Sequence, residues 1–256
     1  MQIITCFKIV PEEQDITVNA NGELSFDRAK LTISNYDINA IEAGTQLVEA
    51  HGGTLVGISV GATSIDDTKL KKNVLARGPE SLYLVADNNL ADMDAHQTAT
   101  VLKAAIGKVG QYDLILCGEG SADLYAQQVG VQLGQLLNLP TINSVSKITI
   151  EGMNVIVERT LEAEVEILEI SLPAVLSVTS DINVPRIPGM KQILAAGKKA
   201  TVAWNIADLD LCQPVKSVEN LETKAPQQAE RKQDILEGDS DEVVKKFLEK
   251  IIKELK

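Results

Sequence analysis

Residues 113–130 read DLILCGEGSADLYAQQVG. Four apolar side chains in a row (Leu114, Ile115, Leu116 and Cys117) run into two glycines a residue apart, and polar residues then lead into a helical pattern. An unbroken apolar run of this length is the mark of a strand buried on both faces. Glycines at 118 and 120 suit a tight turn from strand to helix. Outward from here the same unit recurs. Residues 3–10, 54–60 and 81–86 are strands of the same kind, and 174–178 follows Pro173 as another. Helical patterns separate them. Residues 37–51 carry Ile38, Ile41, Leu47 and Val48 on one broad face and stop at Gly52-Gly53. Residues 65–77 and 95–109 follow the same logic, and Gly78-Pro79 breaks the chain before a strand. Strand and helix alternating in this order predict a parallel sheet with right-handed crossovers, an α/β fold of Rossmann-like type.

Two insertions extend this core. NANGELSF (19–26) places Asn21-Gly22 between alternating residues, a hairpin signal. Residues 153–170 read as two strands of a second hairpin, with Val155/Val157 and then Ala163, Val165 and Ile167 alternating with charges. The sequence divides at 200: a nucleotide-binding α/β domain over 1–200 and a C-terminal, partner-embracing arm over 201–256. Residues 205–231 scatter Pro, Gln and charges with no sustained period, and are too long for an ordinary loop. The arm ends in a helix over 239–255, capped by Ser240, with Val243, Val244, Phe247, Ile251 and Leu255 at spacings of three or four. Such a stripe needs a cover, on its own domain or on a partner subunit.

Composition removes several classes of function. The 256 residues are 45% apolar, so a large core can form, yet no apolar run approaches the ~20 residues that span a bilayer. The first ten residues carry Lys8 behind their apolar positions and read as a strand rather than a signal peptide. Cys6, Cys117 and Cys212 lie far apart without metal-ligand spacing, which fits reduced thiols in a cytoplasm. A net charge of −12 repels phosphate backbones, so no nucleic-acid partner is expected. Two isolated histidines, His51 and His96, leave little room for Ser-His-Asp, Cys-His or zinc chemistry. The alternating Glu162, Glu164, Glu166 and Glu169 form a solvated strand face rather than a paired-carboxylate site.

In open α/β sheets ligands bind at the carboxyl ends of the strands. Three such ends converge here: Thr5-Cys6-Phe7-Lys8, Ser59-Val60-Gly61 and the 118–130 turn, with the helix entry Ser34-Asn35-Tyr36-Asp37 beside them. Gly118 and Gly120 allow close backbone approach, and free amides at a helix start can receive an anion. The turn is neither GxGxxG nor a GK[ST] phosphate loop. From pattern alone it is either a nucleotide pocket or a strand-to-helix turn whose glycines serve the backbone.

The wording itself carries a resemblance. ITCFKIVPEEQDI at the start, SNYDINAIEA at the helix entry, RGPE at 77–80, GEGSADLYAQQVG, VERTLE at 157–162 and LPAVLSVTSDINVPRIPGMKQILAAGKK resemble the electron transfer flavoprotein beta family, from the first strand to about residue 199. The opening, DLYAQQVG and PRIPGMKQIL are most similar to its Fix-type branch, associated with carnitine or acyl-CoA metabolism. The resemblance implies a heterodimer with an alpha subunit, a redox FAD shared with that subunit, and a second adenine nucleotide in this chain, AMP or a second FAD. It implies electron transfer between an acyl-CoA-type dehydrogenase or reductase and a quinone oxidoreductase or ferredoxin, with flavin-based bifurcation from NADH in some Fix-type complexes. By position it places cofactor contacts at Cys6, Ser34, Asn35, Tyr36, Asp37, Val60, Gly118, Gly120, Ser121, Asp123, Tyr125, Gln127, Gln128 and Val129. It places partner docking on 185–199, at Met190 with Ile187 and Ile193. Ser34-Asn35 stands where many members have Asn-Pro, and Gln127-Gln128-Val129 where many have Asn-Gln-Thr, which removes one hydroxyl donor to phosphate. Two rival readings are a stress-type nucleotide-binding module without a partner, which would not need the arm, and an ATP pyrophosphatase, which would need an SGGxDS-type loop.

Overall fold

Apolar runs without alternation become central strands, and they do so here. The structure, a computed structural model, describes residues 1–211, 216–226 and 233–255. Cys212 and part of the 205–231 stretch lie outside the described residues. β1 (Gln2–Cys6) pairs in parallel with β6 (Thr54–Gly61) on one side and β8 (Leu114–Gly118) on the other. β7 (Ser81–Ala86) and β13 (Ala200–Trp204) continue the sheet beyond β6, while β12 (Ala174–Val178) and β9 (Thr141–Glu151) continue it beyond β8. β10 (Asn154–Thr160) and β11 (Val165–Ser171) add an antiparallel edge, so nine strands run β11-β10-β9-β12-β8-β1-β6-β7-β13. This is the expected α/β, Rossmann-like architecture.

The first strand is shorter than 3–10. After Cys6 the chain leaves the sheet, and β2 (Ile9–Pro11) pairs instead with β5 (Leu31–Ile33) in a small antiparallel ribbon. Just past this point Phe7 packs in the cluster of Ile33, Ile41 and Leu82. Between β2 and β5 sits the expected hairpin, β3 (Thr17–Val18) with β4 (Leu24–Ser25).

Helices cover both faces. α1 (Asn35–His51) and α2 (Thr68–Leu75) pack on one, and α3 (Ala95–Val109) and α4 (Val129–Leu137) on the other. Because the crossover from β1 uses one face and that from β8 the other, the chain reverses between these neighbouring strands, and a crevice opens at their carboxyl ends. The crossover from β12 to β13 carries α5 (Met190–Ala196) over the α1/α2 layer. Beyond β13, Leu209 is buried against the α3 side, and the Ser217 and Val218 amides donate to Asp94 Oδ2 at 2.5 and 2.9 Å. The Ala225 amide donates to the Gly22 carbonyl at 2.8 Å, so the arm touches its own domain at Leu209, Ser217, Val218 and Ala225. α6 (Asp241–Glu254) buries no residue, and Val244, Phe247, Leu248 and Ile252 stand exposed on it. No helix among the described residues is long and apolar enough to cross a membrane.

Candidate functional site

The crevice between β1 and β8 is organised by one carboxylate. Asp37, in the first turn of α1, is almost wholly buried. Its Oδ2 accepts from the Lys8 amide at 2.7 Å and its Oδ1 from the Gly118 amide at 3.2 Å. One side chain on a helix start therefore ties together the ends of two neighbouring strands. Burial pushes its pKa up to about 7, against the pull of the Lys8 and Gly118 amides and the Lys8 charge.

Ser34 stands at the N-cap of α1 but its hydroxyl does not cap the helix. Its Oγ accepts instead from the Ala122 amide at 3.3 Å, which draws the 119–128 loop onto the helix start. Lys8 and Asp123 close a second link, with Nζ to Oδ2 at 2.6 Å. Burial raises the Asp123 pKa, but hydrogen bonds from Lys8 and Ser121 outweigh it and hold the carboxyl below its ordinary value. The Tyr36 and Tyr125 rings pack with centroids 4.9 Å apart, and Gln127 Nε2 donates to Tyr125 Oη at 3.3 Å. Tyr125 and Gln127 adopt left-handed backbone, with φ of 45° and 56°. Those angles turn the loop back over itself before α4 begins.

The glycines have a use the sequence does not disclose. A Cβ on Gly118 would lie 2.7 Å from Asp37 Oδ1 and from the Tyr36 carbonyl carbon. One on Gly120 would lie 2.6 Å from Tyr125 Cδ2, and one on Gly130 would lie 2.2 Å from Ser177 Oγ. In each case what the glycine admits is the protein's own chain: α1 against β8, the Tyr125 ring against its loop, and α4 against β12.

The structure thus brings together Ser34, Asn35, Tyr36, Asp37, Gly118, Gly120, Ser121, Asp123, Tyr125 and Gln127, all on the α1 entry, the end of β8 or the loop after it. Gln128 and Val129 follow at the start of α4, whose first-turn amides have no intrahelical acceptor. Two expected residues stand apart. The Cys6 side chain points into the α3/α4 core, where its hydrogen bond with Cys117, aided by burial, raises the thiol pKa well above its ordinary value. Val60, at the end of β6, packs against the same core. The docking residues Ile187, Met190 and Ile193 lie on the β12–β13 crossover, exposed to solvent and outside the crevice. The pairing of Lys8 with Asp123, and of Gly130 with Ser177, had no signal in sequence, since each joins residues from different crossovers.

A strand-end crevice of this geometry occurs in many nucleotide-binding proteins, so the family must come from elsewhere. The family model described as "Electron transfer flavoprotein domain" matches residues 23–209, well over half of the chain.

Proposed function

The chain belongs to the electron transfer flavoprotein domain family, and we propose that within it this is the small, beta subunit of a Fix-type heterodimer. Such a subunit shares a redox FAD with an alpha subunit and holds a second adenine nucleotide at the β1/β8 crevice. Supporting this is the meeting of two strand ends on the Asp37 carboxylate, which fixes a rigid cleft at the point where the sheet reverses.

The residues present fit an adenine nucleotide. The paired Tyr36 and Tyr125 offer an aromatic face, Ser121, Asn35, Gln127 and Gln128 offer neutral polar groups, and the first-turn amides of α4 suit phosphate. No Lys or Arg lies within 118–130, so phosphate would rest on backbone donors and the two glutamines. The flavin, when bound, supplies the chemistry: it takes electrons from an acyl-CoA-type dehydrogenase or reductase and hands them to a quinone oxidoreductase or ferredoxin system. This chain's residues bind and orient. Asp37 and Ser34 hold the cleft walls, Tyr125 caps the loop, and the exposed Ile187, Met190 and Ile193 meet the dehydrogenase.

In the proposed reading the second nucleotide is FAD, as in bifurcating complexes that oxidise NADH, because Val129 lacks the hydroxyl that many AMP-holding members carry. The test is to purify the chain with its alpha subunit and count flavins per heterodimer, for the wild type and for Gly120→Val. The valine would displace the Tyr125 ring, which sits 2.6 Å from the position of a Cβ. Two flavins falling toward one, with loss of NADH oxidation, supports FAD. One flavin in both proteins, with AMP released on denaturing the wild type only, replaces FAD by AMP. An unchanged complement of both nucleotides in Gly120→Val overturns the assignment of the pocket to this loop.

A further inference from the structure

The segment that carries the exposed docking residues is held by polar contacts at both ends. It leaves β12 at Val178, beside Gly118, and re-enters the sheet at Ala200, beside Ser81, so it runs the length of the sheet outside α1 and α2. At its start, Asn39 of α1 donates through Nδ2 to the carbonyls of Ser180 and Asn183, both at 3.0 Å, and Asn183 Nδ2 returns a bond to the Asn39 carbonyl. Arg186 then grips α1 with its whole guanidinium. Nε and Nη2 donate to the two oxygens of Glu42 at 2.8 and 3.0 Å, while Nη1 and Nη2 donate to those of Glu49 at 2.6 and 2.9 Å. Glu42 and Glu49 are seven residues apart, two turns along one face of the helix, which a forked cation can span and an ammonium cannot. The Arg186 carbonyl in turn accepts from Arg77 Nη1 at 3.0 Å. At the far end Lys199 Nζ donates to the carbonyls of Leu75 and Pro79 at 2.8 and 2.7 Å, and Ala196 is buried against the α2 side.

Between these fixings the segment arches away from the body. A cleft of about 300 Å³ lies beneath it, between Thr45 and Val48 of α1 and Gln192 and Ala195 of the arch. Its crest is apolar and open to solvent: Ile187 is 93% exposed, Met190 72% and Leu194 69%. Its free charge is basic: Arg186 is neutralised by Glu42 and Glu49 and Lys199 is turned to backbone carbonyls, which leaves Lys191 and Lys198 exposed on a segment, 185–199, that holds no carboxylate of its own. The partner that fits is a protein with an apolar groove rimmed by acidic side chains.

On the docking reading given above, the geometry points to Arg186 as the positioning residue of this arch. It does not touch the partner. It locks the arch to α1, the helix whose first turn builds the nucleotide crevice, and so holds the apolar crest at a set distance from the cofactor. A crest already in its bound shape loses little freedom on association, so the clamp acts on affinity rather than on the electron-transfer step.

The test uses the complete heterodimer, with an acyl-CoA dehydrogenase reduced by its thioester substrate as electron donor. Arg186→Gln should raise the donor concentration at half-maximal rate by roughly tenfold, while the limiting rate stays within about twofold and flavin content is unchanged. Amide exchange across 184–195 should quicken. Arg186→Lys, which keeps the charge but not the fork, should recover only part of the loss. The double variant Glu42→Gln/Arg186→Gln, which removes the carboxylate that the single change strands in the interior, should reproduce the single one and shows that a stranded Glu42 charge is not the cause. Faster exchange with an unaltered donor dependence overturns the proposal, and so does unaltered exchange. Met190→Ala separates the two readings. If it leaves the donor dependence unchanged, docking lies elsewhere and the docking reading falls. If it raises that dependence while Arg186→Gln does not, only the positioning role of Arg186 falls.

Discussion

Asp37→Asn should invert its effect on stability between pH 4 and pH 8. In the folded chain Asp37 titrates at about 7, against an ordinary value of 3.8. The native state therefore holds this proton more tightly than the unfolded chain. Stability from this site is complete below about pH 4 and is lost as pH rises through about 7. A difference of about three pKa units corresponds to on the order of 4 kcal/mol, at roughly 1.4 kcal/mol for each. Asparagine removes that dependence but presents an NH2 group to either the Lys8 or the Gly118 amide, two donors facing each other at a cost of about 1–3 kcal/mol. At pH 4, where native Asp37 is neutral and the unfolded carboxyl has only begun to ionise, the variant should be the less stable by about that amount. At pH 8, where the wild type carries a buried charge, the variant should match or exceed it. Urea unfolding of both proteins at fixed ionic strength across this range gives the difference curve directly, and other titrating groups cancel in it. Asp94, Asp123, Glu42 and Glu49 have lowered pKa values and act in the opposite sense, weakening both proteins alike as the pH falls. A wild-type-minus-variant difference that stays flat from pH 5 to 8 would mean that Asp37 titrates as an ordinary surface carboxyl.

Three further outcomes follow from contacts around the crevice and tail. Gly118→Ala puts a Cβ 2.7 Å from the Tyr36 backbone and from Asp37 Oδ1; it should cost about 1–3 kcal/mol in chemical unfolding and weaken AMP and FAD binding in equilibrium dialysis, because α1 must shift off β8. Gly130→Ala collides with Ser177 Oγ at 2.2 Å, whereas the next contacts, at 3.4 and 3.5 Å, are ordinary. Adding Ser177→Ala should therefore restore most of the lost stability, a coupling of roughly 1–2 kcal/mol in a double-mutant cycle. Removal of 233–256 deletes the exposed Val244, Phe247, Leu248 and Ile252, and should reduce self-association of the isolated chain in sedimentation velocity, because an uncovered apolar stripe is adhesive.

What could be read from sequence was whatever depends on local period. The runs at 54–60, 81–86 and 113–117 and the helical faces of 37–51 and 95–109 needed no tertiary information, and the structure places them within a residue or two. β9 has no clean signal in the sequence because its alternation slips. Ile142 and Val145 both face the α1 side although three residues apart, since Ser144, at φ 57°, inserts a bulge that shifts the register. β13 is equally silent because ATVAW offers five residues with no helix-scale pattern around them and borders a stretch rich in Pro and charge. The tail helix was legible as an amphipathic element, but the arm's attachment to Asp94 was not, because it joins backbone amides to a side chain more than a hundred residues away. The glycines at 118, 120 and 130 were legible as points of close approach. What approaches them was not, as it arrives from α1, from the loop itself and from β12.

The same contacts decide what kind of affinity the crevice can have. Lys8 is the cation at its mouth, and it is paired with Asp123 at 2.6 Å across the ends of β1 and the loop after β8. Both side chains are partly exposed, so the pair contributes little to folding, about 0–1 kcal/mol for exposed ion pairs in general. A nucleotide phosphate can take Lys8 at small cost, but Asp123 would then be left beside the incoming anion. The arrangement therefore disfavours recognition by a strong cation and favours neutral donors: the first-turn amides of α4 and the Gln127 and Gln128 side chains. Binding built this way depends weakly on salt and strongly on backbone geometry. That geometry rests on Asp37, which is why a buried carboxyl with no chemical step of its own has more influence over the site than the exposed charges around it.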